Sequence, residues 1–263
     1  MFSANHFIWM FICLIVITVS LILLKKYKPP LQKVLTVCCA VCIVSELIKI
    51  FGAMMLVPAS NGKTMYLYMS MADLPFHFCT LQIVFIFLVR FMKDLKLRET
   101  ILAFMYPTCI AGAVFAIVLT TTFKESVPVD QAFIHPTAYQ FFLYHCMLVI
   151  LGVYIVMSGE VKIKPKHFFS TLGILLGLAV ASLYLNSMFA SPVYKNGKLK
   201  TVEYTPNFFF TYRTPIGIKL TEMWHWYVYL AILLGLVLIL LAAFYLPFFI
   251  AERNNKKQKI SKY

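Results

Sequence analysis

The chain has 263 residues, of which 61% are hydrophobic and 13% charged, and its mean hydropathy is +0.82. Soluble proteins carry about 25% charged residues, so this composition excludes a soluble enzyme, a DNA-binding module and a disordered chain. The formal charge of +14 does not indicate a nucleic-acid partner, because the lysines and arginines form short clusters between apolar runs. The sequence therefore predicts an integral membrane protein whose partners are membrane lipids and not nucleic acid.

Seven apolar runs are long enough to cross a hydrocarbon core of about 30 Å, which takes about 20 helical residues. In chain order they are Phe7–Leu24, Val34–Val57, Pro75–Met92, Ile101–Thr120, Ala138–Met157, Phe168–Ala190 and Trp224–Ile250. The predicted fold is all-α, a polytopic membrane helix bundle of seven transmembrane helices that forms one integral membrane domain over residues 1–263. The remaining segments are too short for a separate catalytic domain, so a functional site must be formed by helices and loops.

Lysines and arginines are unequally distributed between alternate loops. Sixteen lie at or after the ends of the first, third, fifth and seventh runs, counting Arg90 in the last turn of the third, whereas seven lie in the other loops. Because basic loops resist translocation, we expect the amino terminus outside and the carboxyl terminus inside, with residues 251–263 as a basic cytoplasmic tail. The first run has neither a basic n-region nor a small-residue cleavage site, so it is predicted to be an uncleaved anchor.

The second run contains three cysteines and two opposite charges. Cys38, Cys39 and Cys42 have no histidine or acidic residue near their end of the run, so we interpret them as packing residues and predict neither a metal site nor a cofactor. Glu46 and Lys49 are three residues apart and near the predicted midplane. Either they neutralise each other or they carry a proton or an ion. The second possibility gives the alternative function, a small-molecule or ion transporter or binding protein.

The third run is predicted to enter the membrane from outside, with Asp73 as the helix cap and Cys79 close behind it. The thiolate is the reactive form of cysteine, and the positive end of a helix dipole favours it. Asp73 and His77 are four residues apart, so Asp73 is predicted to orient the imidazole, either structurally or as part of an auxiliary acid or base. Cys79 and Gln82 share a different helical face.

The fifth run also enters from outside, which places His145 in its outer half. His77 and Cys79 are two residues apart and therefore diverge on a helix, so a base for Cys79 must come from another helix. This makes Cys79 and His145 the candidate catalytic pair. Two alternatives stay open: a Thr80 and His77 nucleophile pair, and a purely packing role for Cys79 and His145.

Polar residues near the outer ends of the last two runs complete the candidate site. Asn186 ends the sixth run, and Asn207 opens an aromatic segment that finishes at Arg213. Asn186, Asn207 or Gln82 is predicted to donate a hydrogen bond to a developing oxyanion. Arg213 is predicted either to hold a lipid phosphate in a bidentate contact or to anchor the segment at the interface.

Several segments together carry a resemblance to a known family. They are Leu74–Gln82 with the pattern Leu-Pro-x-x-x-Cys-x-Leu, Phe141–His145 with Phe-Phe-x-x-His, Asn186, Asn207 followed by aromatics and Pro215, and Trp224–Tyr227. In their order and spacing, the chain resembles the YwaF family of multi-pass membrane proteins. The resemblance implies a protein of the cell membrane in a Gram-positive-type bacterium.

YwaF-like proteins are similar to a eukaryotic family of transmembrane acyltransferases that acylate ether-linked lysophospholipids with a membrane Cys and His. That likeness implies that Cys79 and His145 are the active pair. The hydrophilic stretch Tyr194–Thr205 is longer than the family pattern. The expected function is a membrane-embedded lipid acyltransferase that transfers or hydrolyses a phospholipid acyl chain near the outer leaflet. The sequence favours no particular oligomeric state.

Overall fold

The computed structural model describes residues 3–58, 64–68, 74, 76–119, 132–195, 198–204, 206–214, 218 and 220–260. The chain forms two compact units. Unit 1 comprises Met1–Ser70 and Cys79–Ile163, and unit 2 comprises Met71–Phe78 and Lys164–Tyr263.

Within the residues that the structure describes, unit 1 contains five helices and one short β-hairpin. Its elements are α1 (Ala4–Tyr27), α2 (Leu31–Ala53), β1 (Met55–Pro58), β2 (Met65–Tyr68), α3 (Phe78–Phe91, whose first residue belongs to unit 2), α4 (Leu95–Val118) and α5 (Pro136–Met157). The helix starts follow local sequence. Asp94 Oδ1 caps α4 by accepting from Lys96 N at 2.9 Å, and His135 Nδ1 caps α5 by accepting from Thr137 N at 3.3 Å. The strands β1 and β2 are antiparallel.

Helix α5 is the centre of unit 1, where it packs against α1, α2 and α4. Gly152 permits the contact with α4, since an added Cβ would lie 2.7 Å from Ile110 Cγ1. Close helix approach at a small residue is typical of membrane bundles. On the α1 side, the buried Trp9 ring stacks on Phe142 with centroids 4.7 Å apart, and its indole N–H donates to Ala132 O at 2.9 Å.

The described part of unit 2 contains two helices, one hairpin and a short 3-10 turn. Its elements are α6 (Lys166–Met188), β3 (Ser191–Lys195), β4 (Lys198–Tyr204), the 3-10 turn Phe208–Phe210 and α7 (Met223–Ile260). The strands β3 and β4 pair antiparallel. A buried hydrogen bond of 2.8 Å between Thr171 Oγ1 and Tyr245 Oη joins α6 to α7.

Six of the seven predicted spans are confirmed as helices long and apolar enough to cross a membrane. They are Ala4–Tyr27, Leu31–Gly52, Leu95–Val118, Pro136–Met157, Lys166–Met188 and Met223–Asn254. The third differs, because α3 begins at Phe78 rather than near Pro75 and has 14 residues. At about 1.5 Å per residue such a helix is roughly 21 Å long, less than a full hydrocarbon core. The count of seven spans and the orientation stay predictions. Residues 251–260 of the predicted tail are helical, because α7 continues to Ile260.

Candidate active site at the start of α3

Cys79 is the second residue of α3 and is partly exposed. The first N–H groups of a helix have no acceptor within the helix, so the first turn of α3 presents donors and a positive dipole end beside the thiol. The Cys79 carbonyl oxygen accepts a hydrogen bond from the Tyr144 hydroxyl of α5 at 2.7 Å. This contact fixes the start of α3 against the middle of α5.

His145 follows Tyr144 directly and is buried among aromatic rings. Its ring centroid lies 4.3 Å from that of Phe141 and 5.4 Å from that of Tyr144. The Nδ1 atom lies 2.6 Å from the Phe141 carbonyl oxygen, one helical turn earlier. A carbonyl can only accept, so Nδ1 carries the proton and donates. In the neutral ring, Nε2 then holds the lone pair, which is the state a general base requires.

Cys79 and His145, the predicted pair, thus lie on two helices that are in contact, α3 and α5. Tyr144, adjacent to His145, contacts the backbone of Cys79 itself. No hydrogen bond joins the Cys79 thiol to the His145 imidazole among the residues described. Catalytic hydrogen bonds are often long without substrate and tighten when it binds, so this arrangement is compatible with a nucleophile and base.

Gln82 lies on the next turn of α3 and is buried in a polar contact with α4. Its Nε2 donates to Thr108 Oγ1 at 3.2 Å, and its Oε1 accepts from the Cys109 thiol at 3.3 Å. The Thr108 hydroxyl in turn donates to the Phe104 carbonyl oxygen at 2.7 Å. Both ends of the Gln82 amide therefore hold α3 against α4, and the predicted role of Gln82 as an auxiliary group stays a prediction.

An apolar groove of about 610 Å³ runs along α3 beyond the candidate nucleophile. It is lined by Ile83, Val84, Phe87, Leu88, Phe91 and Met92. Ile83 and Phe87 are four and eight residues after Cys79, and residues at this spacing lie on one helical face. Cys79 therefore lies on the same face of α3 as Ile83 and Phe87, one turn before the groove begins. The groove is suited to a hydrocarbon chain.

His77 belongs to unit 2 and precedes α3. Its ring meets Phe208 edge to face with centroids 5.0 Å apart. Because the helix begins one residue later, helical spacing does not relate His77 to Thr80 as the sequence predicted, and the predicted contact of His77 with Asp73 stays a prediction. Asp73 lies outside the residues described.

Asn186 holds the segment that we call the aromatic loop, Asn207–Arg213. Its amide is fully buried in unit 2. Nδ2 donates to Phe208 O at 3.1 Å and to Thr211 Oγ1 at 3.0 Å, and Oδ1 accepts from Phe208 N at 2.8 Å. The structure thus gives Asn186 a loop-holding role, and its predicted contact with substrate stays a prediction.

Asn207 closes the aromatic loop on itself. Its Nδ2 donates to the Arg213 carbonyl oxygen at 2.9 Å, while Oδ1 accepts from the backbone N–H groups of Tyr212 and Arg213 at 3.1 and 2.9 Å. The Arg213 side chain is exposed. Whether that guanidinium holds a lipid phosphate stays a prediction.

The sequence did not indicate the strain or the outer supports of this loop. Phe209 and Phe210 have positive φ angles of 58° and 54°, a conformation rare for bulky side chains. The loop is held from α7 by the Trp226 indole, whose N–H donates to Thr211 O at 2.9 Å, and by the Tyr229 hydroxyl, which donates to Phe210 O at 2.5 Å. Trp226 and Tyr229 are three residues apart and share one helical face, which is the sequence signal from which a shared contact could have been predicted.

Glu46 and Lys49 form an ion pair on α2. Lys49 Nζ lies 2.7 Å from Glu46 Oε2, and the two side chains are 17% and 26% exposed. Directly before Glu46, Ser45 Oγ accepts from Gln140 Nε2 of α5 at 2.8 Å. The pair neutralises its own charges, and the predicted role in transport stays a prediction.

Within the described residues, no group of three or more His, Cys, Asp or Glu side chains is placed to hold a metal ion.

Comparison with known proteins gives one match. The model of the TMEM164 family matches residues 1–246, which is most of the chain. Neither the curated proteins nor the solved structures yield a match.

Proposed function

The chain belongs to the TMEM164 family, a multi-pass membrane family, and from this premise we propose that it is a lipid acyltransferase with Cys79 as nucleophile and His145 as general base. The observation that carries the proposal is the hydrogen bond from His145 Nδ1 to Phe141 O, which leaves Nε2 as the proton acceptor. The resemblance of the Cys79 and His145 segments to membrane acyltransferases supports the same pair.

The first half-reaction forms an acyl-enzyme. Cys79 Sγ attacks the ester carbonyl carbon of a donor phospholipid while His145 Nε2 takes the thiol proton. The backbone N–H groups of the first turn of α3 are placed to stabilise the negative charge on the carbonyl oxygen. When the C–O bond breaks, the imidazolium returns its proton to the departing lysolipid oxygen, and the acyl chain remains on sulfur as a thioester.

The second half-reaction transfers the chain. The hydroxyl of a lysophospholipid, or water, gives its proton to Nε2 and attacks the thioester carbonyl. The thiolate leaves and is reprotonated by the imidazolium, which restores the starting state. During both steps, the groove along α3 offers the acyl chain an apolar surface that starts one turn beyond Cys79. This groove favours a long hydrocarbon chain over a small polar acyl group.

The deciding experiment profiles the phospholipids of cells that carry wild type, Cys79→Ala, His145→Ala or Cys39→Ala. Cys39 is a buried cysteine of α2, so its replacement controls for loss of a packing thiol. We expect both site variants to change the acyl composition in the same direction, while Cys39→Ala matches wild type. Unchanged lipids in both site variants at normal membrane levels would contradict the proposal.

A trapping measurement tests the covalent step separately. Wild type incubated with a radiolabelled phospholipid is expected to carry label that hydroxylamine releases, as a thioester does, and Cys79→Ala is expected to carry none. If Cys79→Ala is labelled as strongly as wild type, the acyl group is not on this sulfur.

The transport alternative needs Glu46 and Lys49 to act outside their mutual ion pair. The 2.7 Å contact between them gives each charge a partner, so the geometry supports the enzyme more than the transporter.

A further inference from the structure

A second cavity lies at the opposite end of unit 1 from the start of α3. It has a volume of about 140 Å³ and is formed where α1 ends and α5 ends. Leu24, Lys25 and Lys28 line it from the α1 side, and Met157 and Ser158 line it from the α5 side. Because the cavity lies at the ends of two helices that are long and apolar enough to cross a membrane, we expect it at the depth of the lipid headgroups.

The carboxylate and hydroxyl groups in its wall are already engaged. Glu160 Oε1 accepts from Leu31 N, the first residue of α2, at 2.7 Å, so its negative charge faces the positive end of that helix. The Tyr154 hydroxyl donates to the Pro29 carbonyl oxygen. The Ser158 hydroxyl donates to the Ile155 carbonyl oxygen at 3.2 Å. These bonds shape the cavity and fix the chain between α1 and α2.

Two lysines supply the positive charge of the cavity. Lys28 has a left-handed backbone with φ of 46°, held by its N–H bond to Leu24 O at 2.9 Å, and so ends α1 at the rim. Among the residues that the structure describes, neither Lys25 nor Lys28 has a carboxylate within 4 Å. With Glu160 as the acidic group of the wall, the lining has a net positive charge.

We propose that this cavity binds the phosphate of an anionic glycerophospholipid. The ammonium groups of Lys25 and Lys28 contact the phosphate oxygens, and the apolar side chains of Leu24 and Met157 contact the glycerol and the upper acyl chain. Basic pockets between transmembrane helices are suited to anionic headgroups. The apolar wall favours a lipid over free phosphate. This proposal is independent of the acyl-transfer reaction and of Cys79.

The test uses the purified full-length protein in neutral detergent, with lipid binding followed by native mass spectrometry. Wild type is expected to bind phosphatidylglycerol about thirtyfold more tightly than phosphatidylcholine, since each lysine contributes about fivefold to attraction of an anionic headgroup. The double variant Lys25→Gln with Lys28→Gln is expected to bind the two lipids equally. Arginine at both positions should preserve the preference.

The matched control is Lys93→Gln with Lys96→Gln, which removes the same charge from two exposed lysines outside the cavity lining. It is expected to keep the wild-type preference. Equal loss in the control and in the cavity variant would overturn the proposal, because the effect would then be one of net charge. Equal binding of both lipids by wild type would overturn it too.

A further arm distinguishes the source of the phosphate. Inorganic phosphate at millimolar concentration is expected to leave phosphatidylglycerol binding unchanged. Complete displacement of the lipid by inorganic phosphate would assign the cavity to free phosphate and overturn the assignment to a lipid.

Discussion

The start of α3 and the aromatic loop are two polar regions in an apolar chain, and they use their buried side chains differently. Asn186, which supports the aromatic loop, has its amide oxygen and nitrogen bonded to Phe208 and Thr211. His145, beside the start of α3, has one ring nitrogen bonded to its own helix, at Phe141. The first side chain holds a backbone in place, whereas the second leaves a lone pair on Nε2, the atom to which we assign the role of general base.

This difference separates structural from reactive polar groups better than burial alone. Both side chains are buried, at 0% exposure for Asn186 and 5% for His145. A buried amide with several partners stabilises the fold, since each unpaired partner would cost free energy. An imidazole with one fixed tautomer can exchange a proton without disturbing its neighbours. The following predictions test whether the two regions divide in this way.

The largest effect is expected at His145. His145→Gln retains a side-chain N–H that can donate to Phe141 O, but it has no basic nitrogen. We expect acyl transfer to fall roughly a thousandfold while the protein remains folded. The measurement is turnover of a labelled phospholipid by purified protein, with a thermal melt as the folding control. Near-normal turnover in a folded His145→Gln variant would show that the imidazole is not the base.

The next largest effect is expected at Asn186, and it concerns stability. Asn186→Ala leaves the Phe208 amide and the Thr211 hydroxyl without this partner, and we expect the free energy of unfolding to fall by about 2 to 3 kcal/mol. Asn207→Ala is the matched control, because its partners are nearer the surface, where water replaces the lost bonds. We expect that loss to be about 1 kcal/mol or less. Unfolding in mixed micelles measures both, and a larger loss for Asn207→Ala would contradict the comparison.

The same two regions show which features of the fold and of the candidate site the sequence predicts. Apolar length and composition identified six spanning helices, because the bilayer imposes one requirement on all of them. The sequence predicted Cys79 near the start of one helix and His145 within another, and the structure brings these two helices into contact.

Other features depend on tertiary contacts that periodicity does not contain. Helix α3 begins at Phe78 and not near Pro75, so the predicted helical relation of His77 to Thr80 does not apply. His77 instead packs its ring against Phe208, more than a hundred residues later. The positive φ angles of Phe209 and Phe210 have no local signal, since bulky residues adopt them only where surrounding bonds impose them.

A smaller effect on stability is expected at the ion pair of α2. Glu46→Gln leaves Lys49 as a lone charge at a partly buried position, which we expect to cost about 2 kcal/mol. Lys49→Gln should cost a similar amount, whereas the double variant should be close to wild type. Acyl transfer should be retained in the double variant. Its complete loss in a folded double variant would favour a role for these charges beyond mutual neutralisation.

The smallest effect is expected at Tyr144, the side chain that links the two helices of the candidate site. Tyr144→Phe removes the 2.7 Å bond to the Cys79 carbonyl oxygen. That oxygen lies within α3, where the helical ladder also supplies a donor, so no buried group is left without a partner. We therefore expect the free energy of unfolding to fall by only about 1 kcal/mol. Turnover should fall about fivefold, because the first turn of α3 is then less firmly held beside His145. The matched control is Tyr139→Phe, on the same helix, whose hydroxyl donates to Phe133 O at 2.8 Å and not to a residue of α3. It should lose a comparable amount of stability and no turnover. Equal turnover in the two variants would mean that Tyr144 only packs, and that the contact between α3 and α5 does not position the thiol.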